Sequence, residues 1–165
     1  MQVGRFYGGI AALVRSESDG RYLVLQRVSD RDFAAGVWEC VTGRVDQGEG
    51  FEDALHREVA EEIGARVKVD FILGTAHFYR GAPTPDNELL GIVYCCSLDA
   101  PGQIRLSPEH AAFLWVTPQQ AQEMLSETDP STMWVRGVIA RAEQVRKLVP
   151  KALIEHNRAL GFEMG

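Results

Sequence analysis

Between Thr42 and Ala65 the chain reads TGRVDQGEGFEDALHREVAEEIGA, a loop punctuated by glycines that runs into one unbroken helical period and stops at a glycine. No other stretch ties the chain to so definite a geometry. Gly43, Gly48 and Gly50 interrupt the strand pattern before them, and Gly64 stands where a helix C-terminus wants a left-handed residue. At about 100° per residue from Phe51, the side chains of Leu55, Val59 and Ile63 fall within an arc of roughly 120°, the stripe that a half-buried helix turns to its core. Seven acidic residues share these 24 positions. Glu62, Glu58 and Glu61 lie at roughly +20°, −20° and −80°, on or beside the apolar stripe, while Asp53, His56, Arg57 and Ala60 take the opposite side.

That placement has a cost. Glu58 and Glu62 are an i,i+4 pair and Glu58 and Glu61 an i,i+3 pair, each destabilising a bare helix by about 0.2–0.5 kcal/mol, and partial burial raises the cost. Most acidic clusters on helices are solvated faces, but such a face should lie opposite Leu55, Val59 and Ile63. Carboxylates converging at the edge of the interior are instead the hard oxygen set that Mg2+ or Mn2+ prefers. Arg57 is placed to reach Glu61 or the preceding loop and to orient a carboxylate.

Around this segment the pattern alternates strands and helices. Phe6–Val14 and Arg21–Val28 read as strands joined through the Asp19-Gly20 turn, and Gly36–Gly43 as a third that enters the glycine loop. Val67–Phe78 and Leu89–Ser97 resume the strand pattern on either side of the Pro- and Gly-bearing loop RGAPTPDN. Thr117, Pro118 and Gln120 spell a capping box, Asp129 and Pro130 begin a second helix that includes Trp134, Val138, Val145 and Leu148, and a last helix is expected from Lys151 to Leu160. With 165 residues and no repeat or linker, one domain spanning 1–165 is expected, its C-terminal helices occupying about 117–161.

Charge and composition exclude several classes. A net charge of −6 argues against a surface that neutralises long nucleic acid, and the longest apolar run, LLGIVYCCSL, is too short to span a membrane. No basic-then-apolar leader opens the sequence, so a cytoplasmic protein is expected. Cys40, Cys95 and Cys96 fit neither a disulfide framework nor the paired spacings of a zinc site and read as small buried hydrophobes, Cys95 and Cys96 on opposite sheet faces.

Gly43, five residues, Glu49, seven residues, then Arg57-Glu58-Val59-Ala60-Glu61-Glu62-Ile63-Gly64 resembles the box of the Nudix (MutT-like) hydrolases, departing at Ala65, where a larger aliphatic residue is usual. The resemblance extends over Tyr7–Val116. VTG in place of Pro-Gly-Gly, with Glu109 six residues before Trp115, is similar to the branch that hydrolyses dihydroneopterin triphosphate and nucleoside triphosphates. It implies an α/β (α+β) chain folded as a Nudix-type α/β/α sandwich, a mixed β-sheet covered by the box helix on one side and the C-terminal helices on the other. It implies a pyrophosphohydrolase using two or more Mg2+ or Mn2+ ions on a small nucleotide or diphosphate substrate. The metal ligands would be Glu58, Glu61 and Glu62, with a backbone carbonyl at Thr42 or Gly43 and with Glu109 as a further ligand. Glu58 and Glu109 are the candidate bases, and Glu49 would pair with Arg57.

Arg27, Trp38, Tyr79 and Glu88 are weaker candidates for substrate contact, each with an ordinary alternative: surface for Arg27 and Glu88, packing for Trp38, Phe78 and Tyr79. His77 reads as a satisfied structural residue, His56 and His156 as exposed, and His110 as a partner that orients Glu109. Met124, Met133, Phe113 and Trp134 read as packing. A non-catalytic nucleotide-binding regulator, or a Nudix enzyme acting on ADP-ribose, dinucleoside polyphosphates or nucleotide sugars, are the alternatives, and the last fifty residues are left to form a homodimer contact or a wall of the substrate site.

Overall fold

A computed structural model describes residues 4–28, 36–125 and 128–164. The strands are β1 (Tyr7–Ser16), β2 (Tyr22–Arg27), β3 (Trp38–Glu39), β4 (Val41–Arg44), β5 (Lys68–Tyr79), β6 (Glu88–Leu98) and β7 (His110–Val116). The helices are α1 (Phe51–Ile63), α2 (Pro118–Met124), α3 (Pro130–Arg146) and α4 (Lys151–Leu160). Among the described residues no helix is long and apolar enough to cross a membrane.

All seven strands join one mixed sheet, in which β1 runs parallel to β6 and antiparallel to its other partners. β1 and β2 touch at Arg15↔Tyr22 and diverge from there. The β3–β4 segment fills the fork, β4 pairing with β1 and β3 with β2. The single strand expected over 36–43 is therefore two, because the chain changes partner at Cys40. Strand β7, on the other edge of β2, has no counterpart among the expected strands: HAAFLWV does not alternate cleanly, and its pairing with Tyr22–Arg27 decides its conformation.

Each sheet face has its own core. Ile10, Ala12, Val14, Leu23, Leu25 and Cys96 meet Leu55, Val59 and Ile63 of α1, whereas Ala11, Leu13, Tyr22, Val24 and Cys95 meet Val135, Val138 and Ile139 of α3. Period-2 alternation on β1, β2 and β6 splits the apolar residues between the two layers. The adjacent cysteines face opposite ways, as expected, and burial pushes the Cys95 thiol up to about 12. The expected capping box on α2 is present in both directions. Trp134, Met133, Met124 and Phe113, read from sequence as packing, each keep a third or more of their surface exposed. Leu148 lies beyond the end of α3 and is 80% exposed.

α3 and α4 are fixed to β5 through Asp70, whose side chain is fully buried. Its carboxylate accepts from Ser97 Oγ at 2.6 Å, Arg146 Nη1 at 3.1 Å and Arg158 Nε at 2.8 Å, while Asn157 Nδ2 donates to its main-chain oxygen at 2.9 Å. Removing one member of a buried ion network strands the others. Asp70→Ala is expected to lower unfolding free energy by about 3–5 kcal/mol in urea titration, far more than an ordinary surface substitution.

Candidate active site at one end of the sheet

Strand directions gather the chemistry at a single end. The N-terminal ends of β1, β3, β6 and β7 and the C-terminal ends of β2, β4 and β5 all lie there, as the pairs Tyr7↔Leu89, Gly9↔Arg44, Gln26↔Trp38, Arg27↔His110 and Tyr79↔Glu88 establish. Arg27, Trp38, Glu39, Gly43, Arg44, Tyr79, Arg80, Glu88 and Glu109 therefore share one rim, and α1 lies beside it over the β4 end.

α1 puts its glutamates into three different environments. Glu62 is buried, Glu58 is half-buried and Glu61 is exposed, the order that the helix wheel assigns. Glu58 crosses Gly43 so closely that any Cβ there would overlap its carboxyl group, which explains the glycine without invoking backbone freedom. Arg57 joins the loop to the helix: Nε and Nη2 each donate to Glu49 at 2.8 Å, Nη1 donates to Glu58 at 2.8 Å and to Glu61 at 3.5 Å, and Nη2 donates to the Arg44 carbonyl at 2.9 Å. The Arg57 hydrogen bonds, with the Asp46 amide, hold the Glu49 carboxyl down at about 2. Burial raises Glu58, and Arg57 partly offsets it.

A buried group that the sequence reading missed completes the rim. Glu39 is 8% exposed and accepts from Arg27 Nη1 at 3.0 Å and from His110 Nε2 at 3.1 Å. Arg27 is thus a mostly buried ion-pair partner rather than a surface residue. His110 points at Glu39, with Glu62 Oε2 3.9 Å from the same nitrogen, and not at Glu109 as expected. The available signal was the strand alternation, which puts Glu39 on the same face as buried Val41. His77, expected to be a satisfied structural residue, bonds Glu88 at 3.0 Å with its side chain 54% exposed.

Glu62 concentrates the strain of this arrangement. Its Oε2 is buried without a hydrogen-bond partner among the described residues, and burial, then the charges of Glu39, Glu58 and Glu109, push its carboxyl up to about 9. A buried oxygen with no donor among the described residues, beside further carboxylates, suits a hard cation. The donor set therefore fits a divalent metal, although among the described residues no three acidic, histidine or cysteine side chains already stand together as a cage. Arg57 draws Glu58 and Glu61 toward itself instead.

The other expected residues lie around this centre. Glu109 sits in the turn just before β7, its carbonyl accepting from the Val28 amide. Thr42 pairs with Ala11, so its side chain faces the α3 layer. Trp38 packs on the α3-side core, its amide donating to Thr132 Oγ1 at 3.2 Å, and Tyr79 stays exposed with its ring tilted against His77. Arg44 and Arg80 were not foreseen: Arg44 lies over the Tyr7 ring at 5.3 Å, and burial with the charges of Arg44 and Arg27 lowers Arg80 from the arginine range. A hollow of about 270 Å³ between β5 and α3, lined by Leu73, Val93, Trp134 and Arg141 among others, contains none of the acids.

Comparison with known proteins agrees with this geometry. The sequence model described as NUDIX domain matches residues 7–135. Nucleoside triphosphatase NudI of Escherichia fergusonii is 28% identical over 131 residues, covering 74% of this chain and 92% of that protein. The crystal structure of a MutT protein from Methanosarcina mazei Go1 superposes with a TM-score of 0.69 at 26% identity, covering 89% of this chain and 99% of that one. The E. coli dihydroneopterin triphosphate pyrophosphohydrolase superposes with a TM-score of 0.60 at 25% identity, covering 87% and 99%.

The raised Glu62 carboxyl makes stability depend on pH with a definite sign. A folded value of about 9 against an ordinary 4.5 means that the stability due to the neutral acid is complete below 4.5 and is lost as pH rises toward 9. In chelator, melting curves of wild type and Glu62→Gln should differ little near pH 5, with the glutamine protein becoming the more stable toward pH 9. Mg2+ should stabilise wild type at that pH and leave the variant nearly unmoved.

Proposed function

The chain belongs to the NUDIX family of hydrolases, and on that premise we propose that it is a metal-dependent pyrophosphohydrolase of nucleoside triphosphates or pterin analogues, yielding a monophosphate and pyrophosphate. The observation that carries this reading is the unpartnered, buried Glu62 oxygen on the box helix, beside Glu58 over Gly43. A binding-only protein gains nothing by holding that carboxylate in the core.

On this reading Glu58, Glu61, Glu62 and Glu109, with a main-chain oxygen at Thr42 or Gly43, hold two or more Mg2+ or Mn2+ ions. When bound, such ions neutralise the diphosphate, acidify a water and stabilise charge on the departing phosphate. Arg57 fixes the directions of the Glu58 and Glu49 carboxyls, so the arginine orients ligands rather than touching substrate. His110 and Arg27 hold Glu39 in place and thereby fix the wall behind Glu62. Glu58 and Glu109 are the two carboxylates from which the proton acceptor comes.

Arg44 and Arg80, on the same rim, supply positive charge for phosphate oxygens that the ions do not cover. Tyr79, Trp38 and Glu88 line the route by which the rest of the substrate would lie across the sheet end. A small nucleotide suits this acid-lined rim, whereas a long nucleic acid would need a continuous basic groove.

Glu62→Gln tests the proposal, because it keeps size and removes only the charge. It should fold with an unchanged circular dichroism spectrum and lose about a thousandfold in Mg2+-dependent turnover. Undiminished phosphate or pyrophosphate release would sink the reading. Nucleoside triphosphates, ADP-ribose, dinucleoside polyphosphates and nucleotide sugars, assayed with phosphate and pyrophosphate read separately, assign the leaving group. Arg57→Ala should cut activity by about 10–100-fold and raise the Mg2+ concentration needed for half-maximal rate, the pattern of a lost orienting partner.

A further inference from the structure

α1 has no side chain of its own at its N-cap. That position is Gly50, extended at φ −82 and ψ 167, with no side-chain bond to the helix. The first amides of a helix need acceptors, usually a Ser, Thr, Asp or Asn at this place. Here the acceptor comes from the far end of the chain. Gly161, at φ 72, turns the backbone past the end of α4, and Glu163 Oε1 then accepts from the Glu52 amide at 2.9 Å. The exchange is reciprocal, because Glu52 Oε2 accepts from the Phe162 amide at 2.6 Å and the Glu163 amide at 3.1 Å. Two carboxylates and three amides thus reproduce the logic of a capping box between residues 111 apart in sequence.

The contact is anchored and fitted. The Phe162 ring meets Tyr94 edge-on at 6.0 Å and joins the α1-side core. The Glu163 carboxyl occupies the space that a Cβ at Gly50 would need, so a side chain at position 50 would displace that carboxyl from its present place. Its negative charge also lies at the positive end of the helix dipole.

The neighbour of Gly50 is Glu49, which holds Arg57 through both oxygens, and Arg57 holds Glu58 at 2.8 Å. We infer that Phe162 and Glu163 are positioning residues for the active site: the tail closes the N-terminus of α1, fixes the Asp46–Gly50 turn, and through Glu49 and Arg57 sets the direction of the Glu58 carboxyl. Its effect on cations rests on the metal reading of Glu58, whereas the clasp itself does not. The C-terminal segment thereby becomes part of the catalytic apparatus without touching substrate.

Hydrogen exchange and Mn2+ binding, both on the full chain without substrate, separate the two ideas. Glu163→Ala should speed exchange of the Glu52 amide by about fivefold, and Glu163→Gln should restore it, since an amide oxygen accepts the same bond. The half-saturating Mn2+ concentration, read from water-proton relaxation, should rise by about fivefold in Glu163→Ala and return toward wild type in Glu163→Gln. Arg136→Ala, which removes the α3 bond to the Leu125 carbonyl and touches neither α1 nor the tail, should leave that concentration unchanged and so controls for a merely structural effect. Equal exchange in wild type and Glu163→Ala, or faster exchange with unaltered Mn2+ affinity, overturns the inference. A wild-type chain that takes up no Mn2+ overturns the metal reading, and the coupling with it.

Discussion

A buried carboxylate oxygen that no hydrogen bond from the described residues reaches is the constraint around which this molecule is arranged. Glu62 lies on the core side of α1, and its environment of Glu39, Glu58 and Glu109 opposes its ionisation. A fold seldom retains an uncompensated acid in its interior, because each such group costs stability that hydrophobic packing must offset. Here the surrounding residues limit that cost without cancelling it. Arg57 takes Glu49, Glu58 and Glu61, Arg27 and His110 take Glu39, and no donor is assigned to Glu62 Oε2.

The sheet makes this concentration possible. Because β1 and β2 part after a single paired position, the β3–β4 segment can enter between them and bring Glu39 and Gly43 to the level of α1. Arg27 and His110 then meet Glu39 from the paired ends of β2 and β7. Acids come from the helix and from the strand ends, and arginines from both as well, so the rim presents both signs side by side. That is the composition a polyanion bridged by metal ions requires. The two ends of α1 are closed by different means, Gly64 in the left-handed conformation at one and the distant tail at the other.

Where packing followed local pattern, the sequence was legible. The stripe of Leu55, Val59 and Ile63, the exposure order of Glu62, Glu58 and Glu61, the opposite faces of Cys95 and Cys96 and the box on α2 all follow from periodicity and capping chemistry. The split of the third strand, the existence of β7, the burial of Arg27 and the partner of His110 did not. Each depends on which strand lies alongside, and a two-residue strand such as Trp38–Glu39 leaves almost no period to detect. Trp134 and Met133 misled for the same reason: helical spacing assigns a face, but the neighbouring strand decides whether that face is covered.

The sequence by itself determined the strand–loop–helix unit, its glycines and its inward-leaning acids, since these rest on local backbone preference and on the 3.6-residue period. Only the tertiary structure decided what those acids meet. The charge of Glu39 acts on Glu62, Asp70 gathers Arg146 and Arg158, and Glu163 reaches Glu52 across separations of 23 to 111 residues. Over such distances no local propensity operates. The contacts exist because sheet pairing and burial of two apolar faces leave each side chain one place to go.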